Sequence, residues 1–153
     1  MTDLSISHGT FTVERRFAAP VARLFRAWSV ADEMKLWAAP AEGWTFDIDR
    51  FDFRLGGGAV VRFGPPGAVP YQDVTRYDDI VADRRIVTAY AVSQGSVRIS
   101  SSVSCLEFAP DAGGTHLRIT ELGAYLDGHD SVEIRKGGVA QQLQQLGRFI
   151  ERV

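Results

Sequence analysis

The chain has 153 residues, the length of one domain, with 45% apolar and 24% charged residues, the balance of a folded globular protein. Its formal net charge of −2 speaks against nucleic acid or an anionic membrane surface as the main partner, since both call for a concentrated basic face. A single cysteine, Cys105, excludes an internal disulfide framework and suits a reducing compartment.

Met1 to Thr10 is polar and lacks the apolar stretch of a secretory signal. No run approaches the ~20 apolar residues of a membrane span. A cytoplasmic location is therefore expected. The basic residues are almost all arginine, with Lys35 and Lys136 the exceptions, which points to a GC-rich bacterial genome.

One domain spanning 1–153 is expected, with residues 1–8 flexible. Phe11, Val13 and Arg15 alternate with Thr12, Glu14 and Arg16, which predicts a first strand near 10–17. Pro20 suits the first turn of a helix, and Val21, Leu24, Phe25 and Trp28 then form one apolar face. Ser29 with Asp32 has the spacing to cap a second short helix carrying Met34 and Trp37, ended by Pro40 and Gly43. Residues 44–126 read as strands and turns, with strands at 44–54, 58–64, 71–81, 85–93, 96–109 and 115–126. The links between them are short and rich in turn residues, as in an antiparallel meander.

The last element is one long amphipathic helix. Val139, Leu143, Leu146, Ile150 and Val153 recur every three or four residues. Asp130 and Glu133 have capping-box spacing, which starts the helix near Ser131. The fold class is α+β. A meander of six to seven strands must curl, and its concave side is where the apolar helix face finds burial. A gap is left wherever the side chains between helix and sheet are small.

This order resembles the helix-grip fold of the START-like (SRPBCC) superfamily. The motifs are similar to those of the group related to activators of the heat-shock-protein-90 ATPase. They are Phe51-Asp52-Phe53-Arg54-Leu55-Gly56-Gly57, then Tyr77-Asp78-Asp79-Ile80-Val81-Ala82-Asp83-Arg84-Arg85-Ile86-Val87. Gly113-Gly114-Thr115 and Thr120-Glu121-Leu122-Gly123-Ala124-Tyr125-Leu126-Asp127-Gly128 follow. Ala82 stands where the group usually has proline. Where many relatives have Gly-Trp early in the last helix, this chain has Gly137-Gly138-Val139, so no pocket role for that tryptophan carries over. The resemblance implies a cavity between sheet and helix and a range of functions, from ligand carriage to cyclase chemistry to co-chaperone contact.

Glu121 is the residue with the most to say. Leu117, Ile119, Glu121, Gly123 and Tyr125 share one strand face that begins apolar, which turns Glu121 toward the core. A buried carboxylate needs a partner or takes up a proton. Glu121 is then a polar anchor or general acid/base, or else one half of an ion pair with Arg98 or Arg54. Arg98 itself reads either as an exposed strand residue or as a partner for Glu121 or an anionic ligand. The aromatic candidates for a cavity wall are Trp28, Trp37, Phe53, Phe63, Tyr71, Tyr90 and Tyr125, with Val139 and Leu143 facing them from the helix. Gly137 and Gly138 mark either a close approach to the sheet or to a ligand, or a helix that begins after them. Cys105 reads as a buried, inert thiol. The three histidines have no metal-ligand spacing, Gly56-Gly57-Gly58 does not open a helix, and no cofactor is expected.

Three functions follow as expectations. The first is a non-catalytic domain that binds a small apolar or aromatic molecule. The second is a cyclase- or hydrolase-like enzyme using Glu121 as acid/base. The third is a chaperone-interacting domain, which requires an exposed apolar patch. A homodimer is a further expectation, with neither nucleic acid nor membrane as partner.

Overall fold

The computed structural model describes residues 4–151. The strands are β1 (Ile6–Phe17), β2 (Thr45–Phe51), β3 (Gly58–Gly64), β4 (Tyr71–Val81), β5 (Arg85–Gln94), β6 (Val97–Asp111) and β7 (Gly114–Leu126). The helices are α1 (Val21–Ser29) and α2 (Ala31–Trp37), between β1 and β2, and α3 (Val132–Glu151) at the end. All neighbouring strands are antiparallel, in the order β1-β7-β6-β5-β4-β3-β2. The expected helix-grip α+β architecture is present: one seven-stranded sheet with α3 against one face. Val153, the last residue of the predicted helical stripe, and residues 1–3 lie outside the described residues.

Alternation explains β1. Phe11 and Phe17 are buried, Val13 and Arg15 are half-buried, and Thr12, Glu14 and Arg16 face out. The strand begins earlier than the sequence suggests. Ile6, Ser7 and His8, expected to be flexible, pair with Leu126, Tyr125 and Ala124 of β7. Gly9 lets α3 dock there, because a side chain at this position would collide with Val132.

The helix starts differ from expectation in detail. α2 begins after Val30 with no side-chain cap, and the Ser29 hydroxyl instead donates to the Arg26 carbonyl at 3.4 Å. At α3 the cap is Ser131, whose hydroxyl accepts the Ile134 N–H at 3.2 Å. Asp130 is thereby freed for another partner. Gly137 and Gly138 lie inside α3, and side chains there would meet nothing within 4 Å. Neither a close approach to the sheet nor a late helix start accounts for them. In β2 the strand ends at Phe51 rather than 54, as Asp52 and Arg54 enter a turn closed by the Gly57 N–H to Arg54 carbonyl bond of 2.8 Å.

One irregularity reverses a face. Opposite Val92 and Ser93 the register of β6 slips, leaving Ile99 as an extra residue. Ile99 and Ser100 are consequently both buried, and beyond them Ser102, Ser104, Leu106 and Phe108 point inward. Ser101, Val103, Cys105 and Glu107 point away from α3. Cys105 is therefore half-exposed rather than buried, and its partial burial together with Glu107 raises the pKa of its thiol.

The main core lies between the sheet and the helices. Leu24, Leu117, Leu143 and Leu146 are wholly or almost wholly buried in it, with Phe11, Phe17, Phe25 and Phe108 around them. Ser100, Ser102, Ser104, Thr88 and Ala59 are small and inward-facing. They do not fill the space in front of α3.

Candidate functional site

That unfilled space is a cavity of about 420 Å³ bounded by every strand except β1, by α1 and α2, and by the first half of α3. Its apolar end is built by the helical hairpin. Trp28 and Trp37 meet edge to face with ring centroids 4.7 Å apart, and the Trp37 indole N–H donates to the Ala27 carbonyl at 3.1 Å. Met34 and Leu143 complete this part of the wall. Toward the sheet edge, Trp44, Phe63 and Tyr71 form a stack. Trp44 and Tyr71 are 6.0 Å apart at 10°, and Phe63 and Tyr71 are 5.6 Å apart at 19°. Cross-strand pairing of Phe63 with Tyr71 sets that stack.

The polar end is a continuous hydrogen-bond chain. Arg135, in the first turns of α3, donates from Nε and Nη2 to Asp130 Oδ2 at 3.0 and 2.7 Å. It also donates from Nη2 to the Ser100 hydroxyl and from Nη1 to the Tyr90 hydroxyl, both at 2.8 Å. Tyr90 in turn donates to Glu121 Oε1 at 2.6 Å. The Arg135 and Asp130 side chains are each 13% exposed, and Glu121 is 5% exposed. Arg135 also lies over the rings of Tyr90 and Tyr125, at 5.6 and 5.5 Å.

Burial sets the protonation of this end. It raises the pKa of Glu121, against the opposing pull of the Tyr90 and Ser104 hydroxyls and the Arg135 charge. Burial also lifts Tyr90 well above the usual phenol range, reinforced by Glu121, so Tyr90 remains a hydrogen-bond donor. For Arg135 burial opposes the charge, but Tyr90 and Asp130 more than offset it and hold the guanidinium protonated. Asp73 of β4 lines the same cavity. Burial pushes it up to about 6, although the Thr75 hydroxyl donates to it at 2.6 Å.

Of the residues singled out in the sequence, Trp28, Trp37, Phe63, Tyr71, Tyr90, Glu121, Val139 and Leu143 line this cavity. Phe53, Arg98 and Tyr125 do not. Phe53 packs outside it against Phe25, Phe51 and Tyr77. Arg98 precedes the irregularity of β6 and is exposed. Tyr125 is fully buried but folds back over Gly123, where a side chain would collide with its hydroxyl. Glu121 pairs with neither Arg98 nor Arg54; Arg54 holds Asp52 at 2.8 Å on the surface. The sequence reading missed Arg135, Asp73, Trp44 and Phe46. Arg135 had a signal: it stands four residues before Val139 and eight before Leu143, a charge on the apolar stripe itself.

A curved antiparallel sheet gripping a C-terminal helix, with a cavity between them, defines a helix-grip domain of the START-like kind. The profile of the family described as Activator of Hsp90 ATPase homolog 1-like protein matches residues 18–151, and the chain belongs to that family. A solved protein from Rhizobium leguminosarum is 34% identical over 99% of this chain and 100% of its own, with a TM-score of 0.89. One from Rhizobium loti is 36% identical over 95% of this chain and 99% of its own, with a TM-score of 0.84. The AHSA1-like protein from Aeromonas hydrophila, 17% identical over 94% of this chain and 93% of its own with a TM-score of 0.74, shares the fold. No protein with a curated description matches the chain. No helix among the described residues is long and apolar enough to cross a membrane.

Proposed function

We propose that this chain binds a small, largely apolar molecule in the cavity between sheet and α3. The observation that carries the reading is the cavity itself. About 420 Å³ stays unfilled inside a 16.8 kDa domain, walled by aromatic rings and ended by a few convergent polar groups. Close packing is the rule in protein interiors, so an aromatic-walled space of this size is an exception that a ligand accounts for. The polar chain through Arg135, Tyr90 and Glu121 gives such a ligand an orientation.

Uptake of the neutral fluorophore N-phenyl-1-naphthylamine tests this. One equivalent should bind with a blue-shifted emission, and Thr88→Leu, which narrows the cavity, should weaken the uptake while the circular dichroism spectrum is kept. No uptake, together with native mass spectra free of any retained molecule, overturns the reading.

The contact between Tyr90 and Glu121 favours a second reading. A carboxyl with a raised pKa, 2.6 Å from a phenol inside a cavity, is suited to proton transfer. Under this reading the chain is a cyclase- or hydrolase-like enzyme with Glu121 as acid/base. Turnover of a small aryl ester that Glu121→Gln abolishes, with fluorophore uptake intact, would support it. Absence of turnover leaves binding alone.

A further inference from the structure

The cavity wall is unbalanced in charge. It carries three carboxyl groups, Asp73, Glu121 and Asp130, and one basic group, Arg135. Four of the five Arg135 N–H groups already donate, to Asp130, Tyr90 and Ser100. It has no fork left for an anionic ligand. Glu121 shares the field of Arg135 through Tyr90, whose hydroxyl bonds to both.

Asp73 also feels the Arg135 charge, but no hydrogen bond joins the two. Its cross-strand neighbours are Val61 of β3 and Val92 of β5, both lining the cavity. Along its own strand the inward neighbours are Tyr71 and Thr75. Its hydrogen-bond partner is the Thr75 hydroxyl, and no basic side chain among the described residues pairs with it. A carboxylate among valines is expensive unless a cation joins it. Next to it stands the stack of Trp44, Phe63 and Tyr71, aromatic rings of the kind that attract organic cations.

We infer that the ligand is a small organic amine bound in its protonated form, with the ammonium at Asp73 and the apolar body against Trp44, Phe63 and Tyr71. This rests on the cavity being a ligand site. It goes beyond that reading by fixing the sign of the ligand's charge. Burial holds Asp73 up to about 6, so at neutral pH the group is ionised and available, and an incoming ammonium stabilises it further.

Three probes of one shape test it by calorimetry: 2-phenylethylamine, propylbenzene and 3-phenylpropanoate. At neutral pH the amine should bind at least about tenfold more tightly than propylbenzene, as a charge-assisted hydrogen bond supplies, and the carboxylate more weakly than either. Asp73→Asn should abolish the amine's advantage over propylbenzene. The unmodified protein offers a check that needs no variant. As the pH falls through about 6, amine affinity should drop and propylbenzene affinity should not. The other ionisable groups facing the cavity are Glu121, Asp130, Arg135, Tyr71, Tyr77 and Tyr90. Propylbenzene uptake without a preference for the amine, or a preference that survives Asp73→Asn, overturns the pairing of an amine with Asp73 and leaves the cavity reading standing. Failure of all three probes to bind removes both.

Discussion

The two halves of α3 share one face and do different work. From Val139 onward, Leu143, Leu146 and Ile150 are buried in the core against β1 and the helical hairpin. Before Val139 the same face presents Arg135, and the helix there carries Gly137, Gly138 and an exposed Ile134. The second half is held by area removed from water, which is non-directional. The first half is held by a cap at Ser131, the close approach at Gly9, and hydrogen bonds that reach across to β5 and β6. The contrast arises from what lies opposite. Bulky apolar side chains face the second half, whereas serines, a threonine and a cavity face the first. One half anchors the fold and the other forms a wall whose chemistry is free to suit a ligand.

The largest expected effect comes from breaking the anchor. Leu146→Ala should cost about 3–5 kcal/mol, because the residue is fully buried and its surroundings are too well tied to collapse into the void. Urea unfolding measures it. Arg135→Gln should cost less, about 2 kcal/mol. It leaves Asp130 without its ion pair and Tyr90 without a donor, but water from the cavity can reach both. The same variant should free Glu121 from the only positive charge that the described residues place in the cavity wall and raise its pKa further, which carboxyl NMR titration would read. Equal losses of stability for the two substitutions would show that the first half is an anchor as well, and the contrast would fail.

How much of this was legible beforehand follows the same division. The second half of α3 was readable because burial by packing leaves a period of three to four in the sequence. The strands were readable for a similar reason, and most bounds agree within a few residues. Glu121 was readable because β7 runs without a bulge, so parity along the strand carries its side chain inward. Arg98 and Cys105 were misplaced because one extra residue at Ile99 reverses the parity of everything after it. Nothing in Val97-Arg98-Ile99-Ser100 announces a bulge, since serines suit either face. Asp73 was overlooked for the opposite reason. Val74 beside it is apolar yet 48% exposed, so hydrophobicity favoured the wrong face, and only the parity shared with Tyr71 and Tyr77 points Asp73 inward. Polar contacts of the cavity join residues far apart in the chain, such as Tyr90 and Arg135, and no local pattern encodes them.

The smallest expected effects separate the helix from the cavity at adjacent residues. Gly137 is exposed and Gly138 lines the cavity, and a methyl group at either would meet no atom within 4 Å. Glycine in a helix interior costs roughly 1 kcal/mol against alanine, so Gly137→Ala and Gly138→Ala should each stabilise the protein by about that amount. Their effects on ligand uptake should differ. Gly137→Ala adds its methyl toward solvent and should leave fluorophore binding unchanged. Gly138→Ala adds its methyl to the cavity wall and should weaken binding even as it raises the melting temperature. A stability gain coupled to a loss of uptake at Gly138 alone would mean that the chain keeps a weak helix turn to keep the cavity open. Equal uptake in both variants would mean that the fluorophore does not reach α3.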